Sequence, residues 1–254
     1  MKLATWNVNS LKVRLPQVLD WLAANPVGVL CLQETKLQDG EFPRTELEAA
    51  GYHSVFSGQR TYNGVAILSR TPAHEVQFGL PDFPDEQKRL IAATINGIRI
   101  VCVYVPNGQS VDYDKYQYKL SWLDALRDWL EQELVRYPKL ALLGDCNIAP
   151  EDRDVYDPVV WEGSVLVSEP ERQQFRDLLQ IGLRDSFRLF EQPDKSYSWW
   201  DYRMMAFRRN RGLRLDHILI SEALVAQCKS CVIDKTPRKL ERPSDHAPVI
   251  VELG

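Results

Sequence analysis

Short apolar runs that end in polar clusters recur along the chain. Val27–Leu32 leads into Gln33-Glu34-Thr35-Lys36, Gly64–Leu68 into Ser69-Arg70, Ile100–Val105 into Pro106-Asn107-Gly108, and Leu140–Leu143 into Gly144-Asp145-Cys146-Asn147. Apolar runs without polar alternation predict strands buried on both faces, and their polar ends predict a rim where loops carry function over a rigid scaffold. Leu90–Ile95 and Ile98–Val105 flank Asn96-Gly97, a pair suited to the positive φ angles of a type I′ turn, so this segment predicts a hairpin. Val249-Ile250-Val251 predicts a strand that closes the chain.

Helical periodicity fills the gaps. Val13–Ala24 places Val18, Leu19 and Leu22 beside Trp21 and stops before Asn25-Pro26. Tyr113–Leu134 repeats Tyr116, Leu120, Leu123, Leu126, Leu130 and Leu134 at spacings of three and four. Glu169–Gln180 gathers Phe175, Leu178 and Leu179 on one face. Strands interleaved with helices, plus an antiparallel hairpin, predict mixed sheets covered by helices, best accommodated as two sheets packed face to face with helices outside. No linker or shift in composition marks a boundary, so residues 1–254 are expected to form one domain.

Composition narrows this picture. The chain is 44% hydrophobic and 26% charged, as expected of a globular protein that buries about three quarters of its unfolded surface. No stretch suits a membrane span, and Met1-Lys2 passes directly into Leu3-Ala4-Thr5-Trp6 without the apolar segment of a signal peptide, so a cytoplasmic location is expected. The five cysteines fit that compartment, because Cys31, Cys102 and Cys146 sit in apolar runs. Cys228-Lys229-Ser230-Cys231 has the spacing of a redox or zinc pair but lacks a second ligand pair, so it reads as structural. The net charge of −4 argues mildly against a nucleic-acid partner, but the distribution of charge matters more than its sum.

The polar strand ends supply the chemistry. Side chains at i and i+2 of an extended segment share a face, so Asp145 and Asn147 can reach one small group. Asn7, Glu34, Asn63, Tyr104 with Asn107, Asp216, and Asp245-His246 extend the set across the chain, and only the fold can assemble them. Glu34, Asp145 and Asp245 would make an oxygen-rich site that favours Mg²⁺ or Mn²⁺ over zinc. Of the four histidines, His246 stands just before the closing strand, where a neighbouring carboxylate would favour its cationic form and let it bind a phosphate oxygen.

In order along residues 4 to about 251, Trp6-Asn7-Val8-Asn9-Ser10-Leu11, Leu32-Gln33-Glu34-Thr35-Lys36, Tyr62-Asn63-Gly64-Val65-Ala66-Ile67, Tyr104-Val105-Pro106-Asn107-Gly108, Gly144-Asp145-Cys146-Asn147-Ile148, Ser198-Trp199-Trp200-Asp201-Tyr202-Arg203, Gly212-Leu213-Arg214-Leu215-Asp216 and Ser244-Asp245-His246-Ala247-Pro248 resemble the motifs of the exonuclease III family of abasic-site endonucleases, within the endonuclease/exonuclease/phosphatase superfamily. The resemblance implies a four-layer α/β sandwich and metal-assisted hydrolysis of DNA phosphodiesters. By position, Glu34 resembles the metal ligand, with Asn7 and Asp245 close to the ion. Asp145 resembles the residue that orients or deprotonates the attacking water, held by Asn147. Tyr104, Asn107 and His246 would contact the scissile phosphate, and Asp216 would pair with His246. Either Asp145 or a tyrosinate at Tyr104 could take the proton, and Asp145 is the preferred reading.

The implied substrate is double-stranded DNA with abasic sites or blocked 3′ ends, bound by a monomer. Arg203, Arg208, Arg209, Arg211 and Arg214 concentrate positive charge beside Trp199, Trp200, Phe207 and Leu213, as expected of an element that neutralises phosphates and receives a base-free sugar. The positions of Trp199, Leu213 and Leu215 resemble the walls of the abasic pocket, Asn63 is expected on the DNA-facing rim, and Lys235, Arg238, Lys239 and Arg242 would extend the basic surface. Ser10 and Cys146 depart from the Gly and Phe common in relatives. The 149–168 segment, with Glu151, Asp152, Asp154 and Asp157, is where substrate choice is expected to be tuned. A phosphatase of another superfamily branch, or a nucleic-acid-binding regulator that lost catalysis, is the alternative, and the latter would need a broken site.

Overall fold

The structure, a computed structural model, describes residues 1–254. In chain order the strands are β1 (Lys2–Asn7), β2 (Val29–Gln33), β3 (His53–Ser57), β4 (Val65–Ser69), β5 (His74–Phe78), β6 (Leu90–Ile95), β7 (Ile98–Tyr104), β8 (Leu140–Asp145), β9 (Leu183–Asp185), β10 (Asp216–Ser221), β11 (Cys228–Ile233) and β12 (Val249–Leu253). The helices are α1 (Leu11–Ala24), α2 (Arg44–Ala49), α3 (Asp114–Arg136), α4 (Pro158–Trp161), α5 (Glu169–Gln180) and α6 (Glu222–Val225). Two six-stranded sheets result, one ordered β11-β12-β1-β2-β4-β3 and the other β5-β6-β7-β8-β10-β9. Only β1–β2 and β7–β8 pair in parallel, so both sheets are mixed.

Three apolar interfaces account for four layers. Leu3, Val29, Cys31, Val65 and Ile67 of one sheet meet Ile91, Ile100, Cys102, Leu143 and Ile218 of the other in the central core. Their sequence neighbours point the opposite way: Ala4, Leu30, Leu32 and Leu68 pack on Val18, Trp21 and Leu22 of α1, while Val101, Val103, Leu140 and Leu142 pack on Leu123, Leu126 and Leu130 of α3 and on Phe175 of α5. This is why the inner strands are continuously apolar. No helix is long and apolar enough to cross a membrane.

The predicted hairpin is present as β6–β7, with Asn96 at φ 49° and Gly97 at φ 77°. Gly144 is required for a different reason: a Cβ there would lie 1.9 Å from the Val103 carbonyl oxygen, so only glycine lets β8 approach β7 before the chain reaches Asp145. The register then sets the rim. Asn7 pairs with Gln33, Tyr104 with Asp145, and Asp145 with Asp216, which brings the ends of both sheets to one edge.

Candidate active site

Asp145 is buried and central to the rim. Its Oδ1 accepts the Asn147 main-chain N–H at 2.9 Å, and its Oδ2 accepts the Asn7 amide at 2.9 Å. The same Asn7 nitrogen donates to Glu34 Oε1 at 2.9 Å, so one amide joins the ends of β1, β2 and β8. On the other side, His246 Nε2 lies 3.7 Å from Asp145 Oδ2, and its Nδ1 lies 2.8 Å from Asp216 Oδ2. Ser198 Oγ donates to that Asp216 oxygen at 2.7 Å, while Asp216 Oδ1 is buried without a hydrogen-bond partner. Burial of His246 opposes its charge, but the carboxylates of Asp216 and Asp145 outweigh it and lift its pKa to about 10. His246 is therefore an imidazolium at neutral pH.

Burial raises the Asp145 carboxyl above the ordinary range, assisted by the Asp216 and Glu34 charges and opposed by His246. The Tyr104 hydroxyl is pushed well above its ordinary value by desolvation, then by Glu34 and Asp145, which favours phenol over tyrosinate. Asn107 Nδ2 donates to Asn147 Oδ1 at 3.2 Å, and Asn147 Nδ2 to the Val105 carbonyl at 2.9 Å.

Donor atoms of Glu34, Asp145 and His246 lie within 4.8 Å of one another. Two carboxylates beside the Asn7 amide form an oxygen-rich cluster that fits a hard divalent cation. Asp245 stands next to that cluster, with Oδ1 accepting from Asn9 at 2.9 Å and Oδ2 from the Trp199 indole at 3.1 Å. The other Asp-His pair has a different character: His217 Nδ1 accepts from Arg214 and its Nε2 donates to the Ile148 carbonyl, and burial, reinforced by Arg214, lowers its pKa to about 4.

Several expected surface roles are corrected by burial. Arg203, Arg208, Arg209 and Arg211 are exposed, but Arg214 is enclosed with Asp154 and Asp185 and belongs to the interior. Asp154 accordingly leaves the acidic loop surface, and Arg238 is buried over the Trp200 and Phe207 rings. Leu213 and Leu215 have almost no exposed surface. They pack with Ala149, Val155 and Leu166 beneath Trp199, so they support the half-buried indole instead of forming an open pocket wall. Asn63 is buried at the rim, bonded to Gln59 and Gln87.

The sequence pattern did not disclose several supporting groups. Lys36 Nζ pairs with Glu34 at 2.8 Å. The Arg89 guanidinium lies over the Tyr104 ring. Ser244 Oγ donates to the Asn7 carbonyl at 2.7 Å. Lys119 is wholly buried on α3, and its signal was a lysine three residues after Tyr116 on the apolar stripe.

Known proteins match the chain over its whole length. Residues 4–246 match the endonuclease/exonuclease/phosphatase family. Exodeoxyribonuclease III of Haemophilus influenzae is 34% identical, with full coverage of both chains. Among solved structures, a 3′ phosphatase from Neisseria bound to a product DNA hairpin shares 50% identity and superposes with a TM-score of 0.99, covering 100% of this chain and 99% of that one. An AP endonuclease from Archaeoglobus fulgidus shares 39% identity with a TM-score of 0.96 over the same shares.

Proposed function

The chain belongs to the endonuclease/exonuclease/phosphatase family, and from that premise we propose that it is a Mg²⁺- or Mn²⁺-dependent hydrolase of DNA phosphate esters, acting at abasic sites and blocked 3′ ends of double-stranded DNA. The observation that carries the reading is the buried line Asp216–His246–Asp145, continued through Asn7 to Glu34. It sets a histidine whose cationic form is favoured 3.7 Å from a carboxylate with raised proton affinity, the pair of charges that hydrolysis of a phosphate ester calls for. A binding protein that had lost catalysis would have no need to keep this costly arrangement of buried charge.

In this reading Asp145 orients the attacking water and takes its proton, and the raised affinity caused by burial suits that role. Asn147 fixes the carboxylate through its main-chain N–H, leaving the Oδ2 side of Asp145 toward Asn7 and His246. The His246 imidazolium, oriented by Asp216, stabilises charge as the phosphate accepts the nucleophile. Tyr104, held as a phenol, and the Asn107 amide donate hydrogen bonds to phosphate oxygens. Glu34 and Asn7, with Asp245 alongside, would hold the divalent ion, which supplies Lewis-acid charge to the scissile phosphate when bound. Arg203, Arg208, Arg209 and Arg211 neutralise the DNA backbone while Trp199 receives the sugar.

The relatives named as exodeoxyribonuclease III, 3′ phosphatase and AP endonuclease support a DNA substrate and span the subtypes this chemistry can serve. One labelled duplex series with an abasic analogue, a 3′-phosphate, and blunt and recessed ends tests the reading, using wild type and Asp145→Asn with Mg²⁺, Mn²⁺ or EDTA. Cleavage should require a divalent ion, and Asp145→Asn should lower turnover ~10²-fold or more while DNA binding persists. Activity undiminished by EDTA, or near-normal turnover of the variant, refutes it.

A further inference from the structure

Lys119 takes no part in the chemistry above, yet all three of its ammonium protons have defined acceptors next to it. Nζ donates to the main-chain carbonyl of Asn147 at 2.6 Å, to that of Asn107 at 3.2 Å, and to the Glu171 carboxylate. Both carbonyls belong to asparagines whose side chains meet beside Asp145. Asn147 also holds φ at 50°, in the left-handed region that asparagine adopts more readily than other residues with a Cβ, so its carbonyl is turned out of the β8 ladder.

Glu171 carries the connection outward. Its Oε1 accepts the Leu166 N–H at 3.0 Å, its Oε2 accepts the Ser168 N–H at 3.1 Å, and the Ser168 hydroxyl lies 2.7 Å from that of Tyr116 on α3. The last residues of the 149–168 segment, the start of α5 and the ends of β7 and β8 therefore converge on one buried cation. A buried ion pair of this kind is no better for stability than a well-packed apolar pair. The buried Arg99–Glu133 pair, which ties the start of β7 to the opposite end of the same helix, reaches neither asparagine and provides a comparison.

We infer that Lys119 is a positioning residue: held by Glu171, it fixes the peptide units of Asn107 and Asn147, and it keys the 149–168 segment to the water-activating carboxylate. The inference rests on the proposed roles of those two asparagines. Burial lowers the proton affinity of Lys119, and the Glu171 carboxylate opposes that shift.

Two measurements on Lys119→Met, Lys119→Arg and Glu133→Gln test this. The first is steady-state cleavage of the abasic-analogue duplex. Lys119→Met should lower kcat about 10- to 100-fold, the range for groups that orient active-site side chains, with KM changing less than ~3-fold. Lys119→Arg should recover part of the loss, and Glu133→Gln should lower the thermal midpoint without changing kcat. The second is hydrogen exchange, which should quicken in Lys119→Met at residues 105–109 and 145–149 but not in the β6–β7 hairpin. A kcat loss no larger than that of Glu133→Gln, or a uniform change in exchange, overturns the inference. Should Lys119→Met fail to fold, Glu171→Gln is read against the same two outcomes. If wild type itself cleaves no DNA, the functional reading falls, while the exchange data still decide whether Lys119 holds the two segments.

Discussion

Replacing Asp216 with Asn isolates the electrostatic contribution of the buried line. Asp216 Oδ2 lies 2.8 Å from His246 Nδ1, against 3.7 Å from Asp145 Oδ2 to Nε2, and Asp216 is the largest of the three carboxylate influences, with Asp145 and Asp245, that lift the histidine to about 10. Relative to an ordinary value of ~6.5, that shift is ~3.5 units, or ~5 kcal/mol in favour of the cation. Asp216 carries the largest share of it, by charge and by hydrogen bond, so Asp216→Asn should lower the His246 pKa by ~2 units, to ~8. The sign follows from which form persists. In wild type the imidazolium survives until pH rises through about 10, whereas in the variant it is lost as pH rises through ~8. The ratio of wild-type to variant kcat/KM, which reports groups of the free enzyme, should therefore grow by ~10-fold between about pH 6 and 9. Cleavage of an abasic-analogue duplex at constant ionic strength and metal concentration measures it. A ratio that stays constant across this range would show that the charge of His246 is not what Asp216 provides.

Two further outcomes follow from charge and burial. Substituting Ala for Arg208 and Arg211, both exposed, should raise KM and reduce the logarithmic salt dependence of DNA binding by ~1 for each phosphate no longer neutralised; an unchanged slope would assign them to solvent. His217 is pressed to about 4 by burial and by Arg214, so the unfolded chain binds its proton below ~6.5 while the folded chain does not. Its effect on stability is nil above ~6.5, and stability falls by up to ~3 kcal/mol as pH drops toward ~4. Urea midpoints against pH for wild type and His217→Gln check this, and parallel curves would disprove it.

What could be read from the sequence depended on whether a residue's role was set by its own strand or by a distant partner. β2, β4, β7 and β8 are buried on both faces and announce themselves as apolar runs. The strands that escaped notice include β3, β5, β9 and β11, the four sheet edges, whose half-polar sequences resemble loops. β10 was also missed because it runs antiparallel to β8, so its polar residue Asp216 comes first. The site followed the same logic. Asn7, Glu34 and Asp145 were legible as polar strand ends, whereas Arg214, Asp154 and Arg238 displayed charge without revealing the partners that bury them. Lys119 is the converse case: a lysine within the apolar stripe of α3 signals burial, but not the carbonyls it serves, which only the fold brings to it.

The backbone of the rim explains why so extensive a core is needed to hold so small a site. Asn9, Ser10, Glu34, Lys36, Asn63 and Asn147 all have φ between 43° and 88°, each costing on the order of 1 kcal/mol or more. Together these are a sizeable fraction of the net stability of an ordinary domain, about 5–15 kcal/mol, and the rim persists because the packed sheets over-determine it. Three of the six are asparagines, which adopt this region at least cost. Ser10, at φ 88° and ψ 100°, lies outside the left-handed helical well, where glycine would be unstrained. Its main-chain N–H donates to the Glu34 carbonyl at 2.8 Å, and the next residue's to Thr35 at 3.0 Å, so the strained turn after β1 is stitched to the strained turn after β2. Strain in one loop is thus held by strain in the other, and the carboxylate of Glu34 and the amide of Asn7 are fixed before any phosphate arrives, which is the condition for electrostatic stabilisation without reorganisation during the reaction.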